Sequence, residues 1–175
     1  MRVITAPNEY TRKDSDICCF LAGGISNCHD WQTEVIKILE SMELGGVNIE
    51  NLVIFNPRRK NFPGNDYKVA EQQIEWEYKL LEQADIFSIY FSSGSEQPIC
   101  MYELGRNVLY QMQHGNNWAD RIIISVEDGY KRKLDVNVQI KLATGSKEFV
   151  TNSATPTIHA ARIISKYNIL MRGKK

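Results

Sequence analysis

The chain has 175 residues, 43% hydrophobic and 24% charged, a balance suited to one globular domain with a sizeable core. Its 21 basic residues offset 21 acidic ones, which argues against a nucleic acid polymer or an anionic membrane as partner and leaves Arg58-Arg59-Lys60 as the best basic patch. No apolar run approaches membrane-spanning length. The opening MRVITAPNEYTRKD lacks a signal-peptide core, so a cytoplasmic protein is expected. Four cysteines without a CxxC pair point to reduced, mostly buried thiols rather than disulfides or zinc.

The opening RVITAP offers a short strand. Residues 17–22 (ICCFLA) read as a strand buried on both faces, with Cys18 and Cys19 on opposite sides of a sheet. Gly23-Gly24 ends it. Trp31, Val35, Ile38, Leu39 and Met42 then recur at helical spacing, with Asp30 or Asn27 as cap and Gly45-Gly46 as the stop. Residues 52–55 form the next strand and run into Asn56-Pro57-Arg58-Arg59. A polar turn at Pro63-Gly64 precedes a helix over 69–83. Residues 84–91 (ADIFSIYF) are a third buried strand. Pro98 opens a helix to about Gln113, closed by Gly115, and His114 suits the negative end of that helix. Residues 121–126 (RIIISV) form a further strand. Residues 133–149 stay ambiguous, because DVNVQIKL alternates like a strand and also suits a helix. Thr155 or Thr157 starts a last helix through Tyr167. The alternation predicts a single α/β domain over 1–175: a Rossmann-like or flavodoxin-like three-layer sandwich on a mainly parallel five-stranded sheet.

In such a sheet, ligands bind beyond the carboxyl ends of the strands. Gly23-Gly24-Ile25 lies at that edge, where backbone can approach a ligand, although a plain tight turn explains the glycines equally well. Asn56-Pro57-Arg58 lies there too; Arg58 suits either a phosphate or, more simply, an acid that fixes the loop. Glu103 falls early in its helix, just past the third strand, where the helix N-terminus favours the ionised form. Glu77 falls inside the apolar arc of Ala70, Ile74, Tyr78, Leu81 and Ala84, opposite the wet Glu71, Glu75 and Glu82. An inward carboxylate is costly unless paired or used, so a structural and a catalytic role both remain open. Asp85 reads first as a junction acid bonding loop amides. Trp31 reads as core, and Trp76 as an exposed residue suited to a subunit interface. Cys28-His29 is a weak nucleophile pair. No GxGxxG, P-loop, GxSxG or histidine metal set is present.

FLAGGI, NPR, LLEQAD and YELGR, in that order and spacing, resemble the nucleoside 2-deoxyribosyltransferase superfamily. The resemblance implies cleavage of the N-glycosidic bond of a nucleoside or nucleotide without metal or cofactor. It implies Glu103 as nucleophile, Glu77 at the leaving base or sugar, and Asp85 in support. Gly23, Gly24 and Ile25 would line the sugar and base, with Asn56, Arg58, Ser93 and Tyr102 as further substrate contacts. It also implies a homo-oligomer, at least a dimer. The turn SSGSEQPICMYE departs from the family's small-residue phosphate turn and tilts the substrate towards a nucleoside or an unusual nucleotide. A binding protein on the same fold is the alternative.

Overall fold

The computed structural model describes residues 1–60, 62, 66–114 and 117–174, except for the side chain of His114. The Pro63-Gly64 turn and the Gly115 stop lie outside the described residues. Among the described residues six strands are present: β1 (Arg2–Thr5), β2 (Ile17–Gly23), β3 (Leu52–Asn56), β4 (Ile86–Phe91), β5 (Ile122–Val126) and β6 (Val150–Asn152). They form one sheet in the order β1-β3-β2-β4-β5-β6, and every pairing is parallel. The sheet therefore exceeds the expected five strands by one. The extra pairing comes from β6, whose three residues are too short to announce themselves.

Among the described residues four α-helices connect strands, α1 (Trp31–Leu44), α2 (Tyr67–Gln83), α3 (Pro98–His114) and α4 (Lys133–Thr144), and α5 (Pro156–Gly173) follows the last strand. Three begin at side-chain caps: Asp30 accepts from Thr33 N, Asp66 from Lys68 N and Val69 N, and Thr155 from Ile158 N. The ambiguous segment after residue 133 is the helix α4.

Side chains alternate across the sheet, so each strand feeds two cores. Cys18, Phe20, Val53, Phe87 and Ile124 pack with Trp76 and Leu80 of α2, Leu104 of α3 and Val136 of α4. Cys19, Leu21, Ile54 and Ile123 pack with Trp31 and Leu39 of α1 and with Ile163 of α5. The second core holds a buried polar chain in which His159 bonds Ser88 Oγ at 2.6 Å and Ser125 Oγ at 2.7 Å. This is a three-layer sandwich. Among the described residues no helix is long and apolar enough to cross a membrane.

Two expectations about α2 are corrected. Trp76 is 8% exposed, not an outward anchor: it packs on Phe20, and its indole donates to the Asn8 carbonyl at 2.8 Å. Ile74 and Tyr78, expected inside, are 66% and 52% exposed. The N-terminal segment folds over the Trp76 side of the helix, which turns Gln73, Trp76 and Leu80 inward and Ile74 and Tyr78 out. Glu77 keeps its inward position as the neighbour of Trp76.

Candidate active site

The chain leaves β2 towards β3 on one side and leaves β4 towards β5 on the other. Their connecting loops diverge, and a crevice opens at the carboxyl ends of these two central strands. A cleft of about 400 Å³ occupies this position, a volume within the range of small-molecule sites. One wall is the loop from Gly23 to Asn27; the other is the turn from Ser95 into the start of α3. Pro57, Glu77, Cys100 and Glu103 also line the cleft.

The walls are held by specific bonds. Gly24 N donates to Gln97 Oε1 at 2.8 Å, and Gln97 Nε2 donates to the Ser92 carbonyl at 2.6 Å. Gln97 is buried and adopts a left-handed φ of +49°. Gly23 has φ +145°, and a Cβ there would stand 2.6 Å from the Trp31 ring, so both its conformation and its space demand glycine. Behind the loop, Arg58 Nε meets Asp30 Oδ1 at 3.1 Å and Gln32 Oε1 at 2.9 Å, while its Nη2 reaches the His29 carbonyl at 3.1 Å.

Two carboxyl groups share the cleft. Glu103 projects from α3 and is largely buried; burial first, and then the charge of Glu77, push it up to about 7, against a smaller opposing effect of Arg106. Burial also raises Glu77, opposed by a hydrogen bond from Gln73 and by the charge of Arg59. Burial and their mutual repulsion thus act in the same sense, favouring a proton on the pair over two bare carboxylates. That arrangement can provide a nucleophile and an acid in one cleft.

The structure thus brings Glu103, Glu77, Gly23, Gly24 and Ile25 into one cleft. Asp85 lies elsewhere. It precedes β4 at the opposite, amino edge of the sheet, where it accepts from Cys18 N at 2.8 Å and from Arg12 Nη2 at 2.6 Å. Asn56, Arg58, Ser93 and Tyr102 are also outside the cleft lining. Asn56 accepts from Arg58 N at 3.0 Å, Ser93 N donates to Glu127 at 2.6 Å, and Tyr102 is 69% exposed on the outer face of α3. Cys28 and His29 turn apart, the thiol towards Ser95 and the imidazole towards Ser92. The sequence reading missed Gln73, whose polar role emerges only once Pro57 and Glu77 are beside it. Glu96 and Gln97 stood in the unusual turn, and that irregularity was their one signal. Among the described residues no group of three or more His, Cys, Asp and Glu is disposed to hold a metal ion.

A doubly wound parallel sheet with an acidic cleft between its central strands belongs to the class of α/β proteins that bind small metabolites at that edge. Within that class, the chain belongs to the nucleoside 2-deoxyribosyltransferase-like family, whose model matches residues 17–116. The matched segment runs from β2 through α3 and contains every residue of the cleft. The family supports glycosyl transfer or N-glycosidase chemistry in general, on small nucleoside substrates. No curated protein matches the chain.

Proposed function

We propose that the protein cleaves the N-glycosidic bond of a (deoxy)nucleoside through a covalent glycosyl ester on Glu103. The observation that carries this reading is a pair of largely enclosed carboxyl groups, Glu77 and Glu103, lining one cleft, both pushed above the ordinary carboxyl range chiefly by burial. Glu103 passes its proton to Glu77 and attacks the anomeric carbon. The carbon–nitrogen bond breaks, its electron pair leaves with the base, and Glu77 returns the proton to the base nitrogen. The products of this half-reaction are neutral base, ionised Glu77 and the sugar ester. A second base or a water then displaces Glu103 and restores the anomeric configuration. This sequence uses no metal or cofactor.

Assembly into a homo-oligomer is part of the reading. Ile74 and Tyr78 of α2 and Ile99 and Tyr102 of α3 supply the exposed apolar surface that Trp76 was expected to give. Ile99 also lines the cleft, so a neighbouring subunit on this surface would meet the site.

Incubation with a panel of nucleosides and nucleotides, followed by chromatography for free base, tests the activity. Base release by the wild type and its loss in Glu103→Ala are expected. Tight ligand binding without base release would instead favour the non-catalytic binding protein. Mass spectrometry of the quenched protein should find a sugar adduct on the peptide carrying Glu103.

A further inference from the structure

Gln73 takes no part in the reaction as described, yet it is the side chain that grips Glu77. It lies one helical turn earlier on α2 and is 8% exposed. Its amide nitrogen donates to the Pro57 carbonyl at 2.8 Å and to Glu77 Oε1 at 2.7 Å, so both hydrogens are used. Turning the amide over would set its oxygen against these two acceptors, which fixes the orientation. The amide oxygen is left without a hydrogen-bond partner among the described residues. A buried amide that leaves its acceptor unsatisfied in order to aim both donors is held for what the donors do.

We infer that Gln73 is a positioning residue that decides which of the two cleft carboxyls holds the shared proton, keeping Glu77 ionised and leaving the proton on Glu103 in the resting enzyme. The inference rests on the glycosidase reading for its meaning in catalysis, but its physical content is a titration order. Glu77 faces Glu103 and Cys100 from α3 and Arg59 from the segment after β3. Arg59 acts in the same sense as Gln73. Burial raises the Cys100 thiol far above its usual range, so it stays uncharged. Glu103 faces Glu77 and Cys100 and, from its own helix, Arg106; its carboxyl has no hydrogen-bond donor like Gln73 among the described residues. Glu96 lies at the rim of the same cleft. A carboxylate that accepts an N–H is favoured over one that does not, so Glu77 loses its proton first. It is then ready to take the proton that Glu103 must shed before attacking.

Carbon-13 NMR of the two glutamate carboxyl carbons across a pH titration reads this order directly. In the wild type Glu77 should titrate below Glu103. In Gln73→Leu the Glu77 midpoint should rise by about one pH unit, and the gap between the two groups should narrow or invert. The acid limb of the kcat/KM profile should move to higher pH by a similar amount, a change that a purely structural role would not produce. Gln73→Met gives a second apolar variant of similar length should the leucine variant fold poorly. Glu77 titrating above Glu103 in the wild type, or a Glu77 midpoint unmoved in a folded variant, overturns the inference. Absence of base release by the wild type would defeat the glycosidase reading alone, because the titration order is measured without turnover.

Discussion

The amide of Gly24 donates to the side-chain oxygen of Gln97 at 2.8 Å, joining positions 73 residues apart across the mouth of the cleft. The contact is tight as well as polar: a Cβ on Gly24 would stand 2.6 Å from Gln97 Cδ. The glycine loop and the turn ahead of α3 are therefore one unit. Gln97 completes it by donating to the Ser92 carbonyl from a left-handed backbone conformation.

Gly24→Ala is expected to push these two segments apart, at a cost of about 1–3 kcal/mol in stability by overpacking. Gln97→Ala should cost a similar amount, about 1–3 kcal/mol, because it strands the buried Gly24 amide and Ser92 carbonyl. Urea denaturation measures both. Each variant should also raise KM for nucleoside, since the wall it loosens lines the cleft. Wild-type stability in Gly24→Ala would show that the loop yields freely and is no rigid wall.

Glu103→Gln separates catalysis from stability. Base release should fall by at least about a thousandfold, the scale of losing a nucleophile. Stability should move the other way with pH. The folded-state value of Glu103, about 7, lies above its ordinary value of 4.5, so wild-type stability is lost as pH rises between these values. The glutamine variant escapes that loss. It should gain about 2 kcal/mol on the wild type in mildly alkaline solution and little below the ordinary range. A thermal melt series over pH reads the difference.

Glu77→Gln removes the proton carrier and the repulsive charge together. The rate should drop by about a hundredfold to ten-thousandfold, as for loss of an acid–base group. The surviving activity should lose its alkaline limb. In the wild type that limb marks the pair giving up its last proton; the variant needs only ionised Glu103, so its rate rises with pH to a plateau. Its midpoint should fall below about 7, because Glu77 is the second-largest cause of the Glu103 shift. A profile that keeps both limbs would remove Glu77 from the proton path.

Much of this was readable in the sequence where one residue's neighbours decide its fate. The central strand β2 is an unbroken apolar run up to its closing glycine and β4 is interrupted only by Ser88, and Asp30 and Thr155 cap the helices they precede. The family resemblance then drew attention to Glu103. What escaped were choices made by distant packing. In α4 the apolar residues fall at every second position, yet the helix buries Val136 and Ile140, one turn apart, and leaves Leu134, Val138 and Leu142 outside. On α2 the residue sizes of Ile74 and Tyr78 pointed inward, but the N-terminal segment covers Trp76 instead. Asp85 sits near Glu103 in sequence and at the far edge of the sheet in space, because β4 runs its full length between them. Gln73 and Gln97 look like ordinary polar residues until their partners arrive.

Charge in the cleft sets the last expectation. Its lining carries Glu77, Glu96 and Glu103 and, among the described residues, no lysine or arginine. Arg58, the cation the sequence offered for a phosphate, is spent on Asp30, Gln32 and the carbonyls of Gly24 and His29. A nucleoside 5′-monophosphate would bring its negative charge into this acidic cleft with no cation in its lining, Arg59 being engaged by the charge of Glu77, and like charges repel most where they are weakly screened. The monophosphate should therefore react at least about a hundredfold less efficiently in kcat/KM than the same nucleoside, with most of the loss in KM. Glu96 is exposed at the rim, so Glu96→Lys should narrow the gap without altering the fold. Measured side by side for one base and one sugar, equal efficiencies for the two substrates would show that phosphate is accommodated outside this cleft.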